Sequence, residues 1–493
     1  MNALRPADFL HLLPLIFVFG WACLVLLASA LGPVKASRLG PLSLFGLLLA
    51  LGVTAWSWVE HATPATELFG GMLVVDRFSL FLDLIFIVAT GLTILVSSGY
   101  LDEHRLAEGE YYALVLLSLV GMMLLVHAAD FVTLLIGLET MSLGVYALAA
   151  GWAEKRKSAE AGLKYFVMGA VASAILLYGV ALLYGVTGTT NLAAIARKAY
   201  GEGTNPLFVM GMFLVLGAMA FKVSLVPFHM WTPDAYEGAP TPVTGFMAAA
   251  VKAAGFGLLL RLVRGTFGAD GLVYGSAGWV NIFWTLSMLT MIVGNLAALR
   301  QTNIKRMLAF SSVSHAGYLL LGVVTLTVVP QSPGPLLYYL LSYSLTTVGA
   351  FGVVAWLGRE GNEGVQLEDW AGLGSRRPAA ALAMTIFLLS LGGVPPTAGF
   401  FAKLYVFRAA LEHPSLFWLV IIGALNSVVS IYYYLRPVVA MYFREGQGDA
   451  GSAPLRSGQA VTAIVCAAIL VLLLGLVPGP SLDWAARSLL ALP

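Results

Sequence analysis

Five charged side chains stand in stretches where charge is expensive. Lys222, Lys252 and Lys403 lie within long apolar runs, Glu139 lies nine residues past Asp130 and fifteen before Glu154, and Lys164 follows Lys157 by seven residues. At the centre of a membrane helix a charge costs roughly 2.5 to 3.5 kcal/mol on insertion scales, so such residues face a bundle interior or a hydrated path. Amines and carboxyl groups in that setting hold and release protons. Lys164 is close enough to an interface to snorkel to it. Lys252, ten residues from Pro242 and nine from Arg261, is not. Glu139 and Lys222 could form a static buried ion pair, but that would leave two further buried lysines unexplained.

The backbone around two of these lysines is unusual as well. Lys222 runs into Val-Ser-Leu-Val-Pro-Phe-His-Met-Trp-Thr-Pro, where Pro227 and Pro233 each remove a donor and crowd the preceding turn, so the helix is expected to break. Gly392, Gly393, Pro395, Pro396 and Gly399 precede Lys403 inside an apolar run of about 34 residues, too long for one straight crossing at about 1.5 Å per residue. Paired broken helices in corresponding parts of two halves point to an ion site at the midplane of a transporter with internal repeats. Unwound backbone at that depth needs protein or a water-filled cavity around it. Histidines fill the gaps: His229 lies in the first break, seven residues after Lys222, and His315, nine after Arg306, sits near mid-span among Ser311, Ser312 and Ser314. Imidazole titrates near neutrality and can relay protons; a lone histidine among serines serves equally well as a helix-packing hydrogen-bond group. His127, beside a helix end at Asp130, reads as interfacial.

Such residues need a membrane bundle to position them, and the composition supplies one. The 493 residues are 59% hydrophobic and 11% charged, with 53 Gly and 22 Pro scattered through the apolar runs, against roughly 45 to 50% and 25% in a soluble domain. That excludes a cytosolic enzyme. A window of about 19 residues gives about 14 apolar spans, from 9–32 and 39–58 through 379–412, 415–443 and 459–480. The expected fold is an all-α polytopic membrane protein of about 14 transmembrane helices, two of them broken. Val59 to Asp76 is too polar to cross and is expected to form a short excursion outside the membrane. One set of loops holds fifteen Lys and Arg and the other side eight, which places both termini away from the cytoplasmic side.

Other functions are disfavoured. A net charge of +2 provides no basic field for nucleic acid. Cys23 and Cys466 are too few for an iron–sulfur cluster or a thiolate zinc site, so no redox metal is expected in this chain. The first apolar run is longer than a signal-peptide core and reads as a retained helix. Gly446-Gln-Gly-Asp-Ala-Gly451 satisfies GxGxxG by letter, but it lies in a polar loop between membrane helices with no strand before it, and reads as a flexible linker.

With these residues in view, the sequence resembles the antiporter-like subunits of respiratory complex I, a family shared with the Mrp-type sodium/proton antiporters. The resemblance rests on Gly-Leu-Glu139-Thr-Met-Ser-Leu-Gly-Val-Tyr, on Phe-Lys222-Val-Ser-Leu-Val-Pro-Phe-His229-Met-Trp-Thr-Pro-Asp234, on Lys305-Arg306-Met-Leu-Ala-Phe-Ser-Ser-Val-Ser-His315 and on Gly399-Phe-Phe-Ala-Lys403, and it spans about residues 110 to 440. Lys403 stands where the middle subunit type and its antiporter relative carry Glu. With a chain that stops soon after the last span, this places the resemblance nearest the N type.

The resemblance implies three N-terminal helices over 1–109, two inverted five-helix repeats over 110–264 and 277–443, and a last helix over 459–493. It also implies a proton path. Glu139 would be the acidic partner whose distance from Lys222 varies with the state of a neighbouring subunit, Lys222 the switch, Lys252 the middle relay and Lys403 the terminal lysine. Lys164 and His315 would assist uptake or transfer, with His229 near the uptake route. Burial disfavours an ammonium and a carboxylate within about 4 to 6 Å favours it, so moving Glu139 would load or release a proton. One charge moved across 100 mV costs about 2.3 kcal/mol. On the same resemblance this chain carries no cofactor, and flavin, iron–sulfur clusters and quinone belong to partner subunits. The implied partners are a neighbouring antiporter-like subunit, small membrane subunits and the lipid bilayer, in a bacterial plasma membrane. A sodium/proton antiporter subunit and a structural subunit with no active channel are the alternatives.

Overall fold

In the computed structural model, residues 6–490 are described apart from 32–37, 61–64, 107, 153, 203–204, 275–277, 330–331, 360–362 and 446–456. The GxGxxG-like stretch at 446–451 lies outside the described residues. The chain is a multi-pass membrane protein: twelve described helices are long and apolar enough to cross a membrane. The first group is α1 (Leu13–Leu31), α2 (Leu39–Glu60), α3 (Arg77–Glu103), α4 (Glu108–His127), α5 (Phe131–Ala149) and α6 (Arg156–Thr187). A first broken pair follows, α7 (Pro206–Lys222) and α8 (Trp231–Gly238), and then α9 (Thr241–Thr266). After these come α10 (Trp279–Leu299), α11 (Ile304–Val328) and α12 (Gly334–Leu357), a second broken pair α13 (Pro378–Gly392) and α14 (Ala398–Ala410), and last α15 (Phe417–Phe443) and α16 (Gly458–Leu476). The apolar stretches α7 and α13 are too short to be counted among the twelve.

Polar residues set where helices begin. Asp76 caps α3 in a reciprocal box with Ser79, Asp130 accepts from the Val132 N–H to start α5, Asn205 caps α7 ahead of Pro206, and Asn303 caps α11. Each cap satisfies donors that a helix end would otherwise strand at the edge of the bilayer. The breaks fall where proline and glycine predict. The first leaves Val223–Met230 outside helix, with Ser224 at φ 63; the second turns at Gly393, φ 79, before α14 resumes. The long apolar run thus divides into two shorter helices rather than one tilted crossing.

The interior belongs to α3, α9, α11 and α12, whose apolar windows are buried almost throughout, whereas α1, α6 and α15 bury only a minority and form the periphery. Within α9 the pattern loosens to a π turn over Met247–Val251, immediately before Lys252. Such turns insert a residue and rotate the side chains that follow.

Two features add to the sequence reading. The excursion around Val59–Asp76 contains a small antiparallel hairpin, Thr66–Leu68 with Leu73–Val75, turning through Gly70 and Gly71 at positive φ. His127, at the end of α4, is covered by protein. It is 2% exposed, with one ring nitrogen 2.8 Å from Asp83 Oδ2 and the other 3.0 Å from the Val74 carbonyl. The hairpin roofs the end of α4, so a histidine at the helix end is covered rather than wetted. Beside it the Arg261 guanidinium donates to both Asp76 oxygens at 3.1 Å.

Candidate functional site

Lys222 ends α7, where a cation is favoured by the unpaired carbonyls of a helix C-terminus. Its ammonium donates to Ser142 Oγ at 2.8 Å, and that hydroxyl donates to Leu138 O at 2.5 Å. Glu139 lies three residues before Ser142 on α5, half-buried, and accepts from Ser173 Oγ of α6 at 2.5 Å. Among the described residues no ion pair within 4.0 Å joins Glu139 to Lys222. A small cavity lined by Leu138, Ser142, Tyr146, Ser173 and Lys222 lies between α5, α6 and α7.

Lys252 crosses from α9 to α11, donating to the Ser312 carbonyl at 2.6 Å and to its hydroxyl at 2.5 Å. One turn further along α11, His315 places Nδ1 2.8 Å from the Tyr339 hydroxyl and Nε2 3.2 Å from that of Tyr434, which also pairs with Ser311. Lys403 reaches back from α14 to the end of α13, donating to Leu391 O at 3.1 Å and Gly392 O at 3.2 Å, with the Tyr318 ring 5.0 Å away. Both broken helices therefore end their first half on a lysine ammonium, one supplied from within the helix and one from across the break. Gly393 makes the second arrangement possible: a Cβ there would sit 3.0 Å from Lys403 Cδ, on a backbone at φ 79 that side chains rarely adopt.

Lys222, Lys252, His315 and Lys403 are 7%, 3%, 4% and 5% exposed. Within 4.0 Å no carboxylate pairs with any of the three lysines among the described residues. A row of amines and one imidazole, linked to hydroxyls and carbonyls, is suited to passing protons.

Two sequence candidates lie off this row. Lys164 is 43% exposed and pairs with Asp234 at 2.8 Å and Glu160 at 2.7 Å. It belongs to a circuit of alternating charge, in which Arg306 joins Asp234 to Glu237, each at 2.9 Å, and Glu237 meets Lys157 at 2.8 Å. These groups surround a cavity of about 120 Å³ lined by Lys157, Glu160, Asp234 and Glu237, room for several waters. His229 sits in the first break between exposed Phe228 and Met230, half-buried, its Nδ1 without a hydrogen-bond partner among the described residues.

Sequence reasoning missed Ser142, the pairing of Ser312 with Lys252 and the Asp234–Arg306–Glu237 bridge. The serines were legible as spacing, since Ser142 is three residues past Glu139 and Ser312 three before His315, the helical interval that stacks side chains on one face. A second charged centre also escaped it. Glu363, in the loop after α12, accepts from Tyr100 at 2.6 Å, Thr241 at 2.9 Å and Lys155 at 2.7 Å, with Lys305 at 3.6 Å. Burial pushes its carboxyl up, but Lys305, Lys155 and the Tyr100 hydroxyl outweigh that and hold it down at about 2.

Residues 128–430 match the family model described as NADH:quinone oxidoreductase/Mrp antiporter, transmembrane. The chain belongs to that family. The matched stretch takes in Glu139, Lys222, Lys252, His315 and Lys403. Among the family's curated relatives, NADH-quinone oxidoreductase subunit N 1 of Sorangium cellulosum is 47% identical over 97% of this chain and 98% of its own length. NADH-quinone oxidoreductase subunit N of Trichlorobacter lovleyi is 44% identical over 94% and 93%. A chain of respiratory complex I from Thermus thermophilus superposes with a TM-score of 0.80 at 35% identity, covering 96% of this chain and all of that one.

Proposed function

We propose that this chain is a proton-translocating, non-redox membrane subunit of an NADH-driven, quinone-reducing complex. The observation that carries the proposal is the row Lys222, Lys252, His315 and Lys403, buried in the bundle, with no carboxylate among the described residues paired to any of its lysines, and anchored at both helix breaks. Ammonium groups held this way are costly as permanent charges. They are inexpensive as groups that take up and pass on protons. Glu139, one turn from Ser142 and half-buried, is the charge whose approach to Lys222 would load that lysine. Lys164, in its wet charged circuit, and His229, in the first break, stand on the uptake side.

In this reading the flavin, iron–sulfur clusters and quinone belong to partner subunits, and this chain's partners are a neighbouring antiporter-like subunit, small membrane subunits and lipid. Its seat is a bacterial plasma membrane with both termini on the periplasmic side. The subunit N names of the relatives and the likeness to the Thermus chain support the reading.

The test is NADH-driven acidification of inverted membrane vesicles carrying Lys222→Ala, with NADH oxidation recorded alongside. Loss of acidification and of coupled oxidation in a fully assembled complex is the expected result. Unchanged acidification would remove Lys222 and this reading together.

A further inference from the structure

The hydroxyls beside Lys222 and Glu139 are turned in opposite senses. Ser142 spends its hydrogen on the Leu138 carbonyl and so offers the Lys222 ammonium, 2.8 Å away, only oxygen lone pairs. Ser173 offers the Glu139 carboxyl its hydrogen, at 2.5 Å. Each charged side chain thus meets the end of a hydroxyl that suits it. Both serines line the cavity between α5, α6 and α7, together with Lys222. Its volume of about 10 Å³ is near the least that admits one water.

Ser173 is turned differently from many hydroxyls in this bundle. Thr93, Ser118 and Thr325 fold back on their own helices, each donating to the carbonyl four residues earlier, an ordinary way for such side chains to be satisfied. Ser173 reaches across from α6 to α5 instead. A side chain that short spans the gap only where the helices lie close, and two glycines bring them together. Gly169 stands one turn before Ser173, where a Cβ would run into the Tyr146 hydroxyl of α5. Gly162 lies two turns further back, where a Cβ would stand 2.5 Å from that of Ala150, at the end of α5. Positions 162, 169 and 173 share one face of α6. The bond they allow lies at the rim of the bundle, since Ser173 and Glu139 are only half-buried, whereas Lys222 is inside.

We propose that Ser173 is a positioning residue: its hydroxyl holds Glu139 at the rim, clear of Lys222, and pumping requires this bond to be made and broken in each cycle. The inference rests on the proton-translocating reading above. Hydrogen bonds to an ionised acceptor are roughly twice as strong as those between neutral groups, so Ser173 gives the withdrawn position of Glu139 a definite advantage. With the bond broken, the carboxyl is free to turn toward the cavity that both serines line, and the ammonium gains an opposite charge that favours its protonated form. With the bond remade, that charge is withdrawn and the proton can move on. Lacking the Ser173 hydroxyl, Glu139 loses its hydrogen-bond donor among the described residues, and Lys222 keeps the proton it should pass.

Ser173→Ala and Ser173→Thr in the assembled complex test this, read as NADH-driven acidification of inverted vesicles. Ser173→Ala is expected to slow acidification about tenfold, the factor that corresponds to about 1.4 kcal/mol, with NADH oxidation slowed in step and the complex assembled in normal amount. Ser173→Thr keeps a hydroxyl at the same place and should recover most of the rate. Unchanged acidification in Ser173→Ala overturns the proposal. So does a loss that comes with failed assembly, or an equal loss in both variants, which would make the residue's packing rather than its hydroxyl what matters. Glu139→Gln, alone and combined with Ser173→Ala, separates the levels of the argument. If Ser173 acts through Glu139, the double variant acidifies no more slowly than Glu139→Gln alone; a further loss overturns the positioning role. If Glu139→Gln leaves no rate to measure, the comparison of alanine with threonine decides. If Glu139→Gln slows acidification while Ser173→Ala does not, only this inference is wrong; if Glu139→Gln acidifies normally, the role of that acid in the proton path fails as well.

Discussion

The Lys222 ammonium rests on the Ser142 hydroxyl at 2.8 Å, while Glu139, one turn earlier on the same helix, is held by Ser173 instead. The acid and the lysine that the sequence pairs are thus near neighbours on separate hydrogen-bond partners. A modest change at α5 or α6 would exchange those partners, and α5 presents Val132, Ile136 and Leu143 on its outer face, where another membrane subunit could press.

Ser142→Ala strands the Lys222 ammonium without its side-chain acceptor. An unmet buried polar group costs about 1 to 3 kcal/mol. The variant should acidify vesicles more slowly and melt at a lower temperature, whereas Ser142→Thr, which keeps the hydroxyl, should recover most of the rate. Equal rates for all three proteins would show that Ser142 does not position Lys222.

Gly393→Ala places a Cβ 3.0 Å from Lys403 Cδ on a backbone at φ 79. Holding a residue with a side chain in that region costs on the order of 1 to 3 kcal/mol. The thermal midpoint of the complex should fall and acidification with it. Gly185→Ala on α6 is the control, because nothing lies within 4 Å of the added methyl; it should leave both unchanged.

Glu363→Gln removes the carboxylate that gathers Lys155, Lys305, Tyr100 and Thr241 on one face of the bundle. The folded protein holds this carboxyl down at about 2, below its ordinary value of 4.5. Its stabilising contribution is therefore complete above about pH 4.5 and is lost as pH falls toward 2. A shift of that size corresponds to on the order of 3 kcal/mol. Thermal unfolding in detergent should show Glu363→Gln well below the unmodified chain at pH 6, with the gap closing as the pH approaches 3. A gap independent of pH would assign the loss to something other than the charge.

His127→Leu leaves Asp83, which has no exposed surface, without its imidazole partner. Removing one member of a buried charged pair typically costs about 3 to 5 kcal/mol, whereas replacing both with apolar residues is far milder. The single variant should fail to accumulate in membranes, and the double variant His127→Leu with Asp83→Leu should restore much of the yield. Poor yield from both would mean that the pair's contacts with the hairpin carbonyl at Val74 matter more than its charge.

Much of the fold was legible because a membrane imposes a simple code. Apolar runs marked the helices, and proline and glycine within them marked both breaks, at 223–230 and at 393–397. The sequence by itself also marked which charges would be buried: Lys222, Lys252 and Lys403 each lie deep within a long apolar run, and all three are buried in the bundle. Hairpin strands of three residues carry too little periodicity to be seen. That this hairpin folds over the end of α4 and covers His127 was equally out of sight, because it depends on contacts between segments far apart in the chain.

Only the tertiary structure decided which groups meet. Ser312 lies 60 residues from Lys252, Tyr434 lies 119 from His315, and the Leu391 carbonyl that receives Lys403 becomes available only because α13 ends there. Hydrogen bonds depend on positions fixed to a few tenths of an ångström, and those positions come from how α9, α11 and the two broken helices pack together. Local sequence selects the residue types and the breaks, but the distances between partners far apart in the chain are set by that packing.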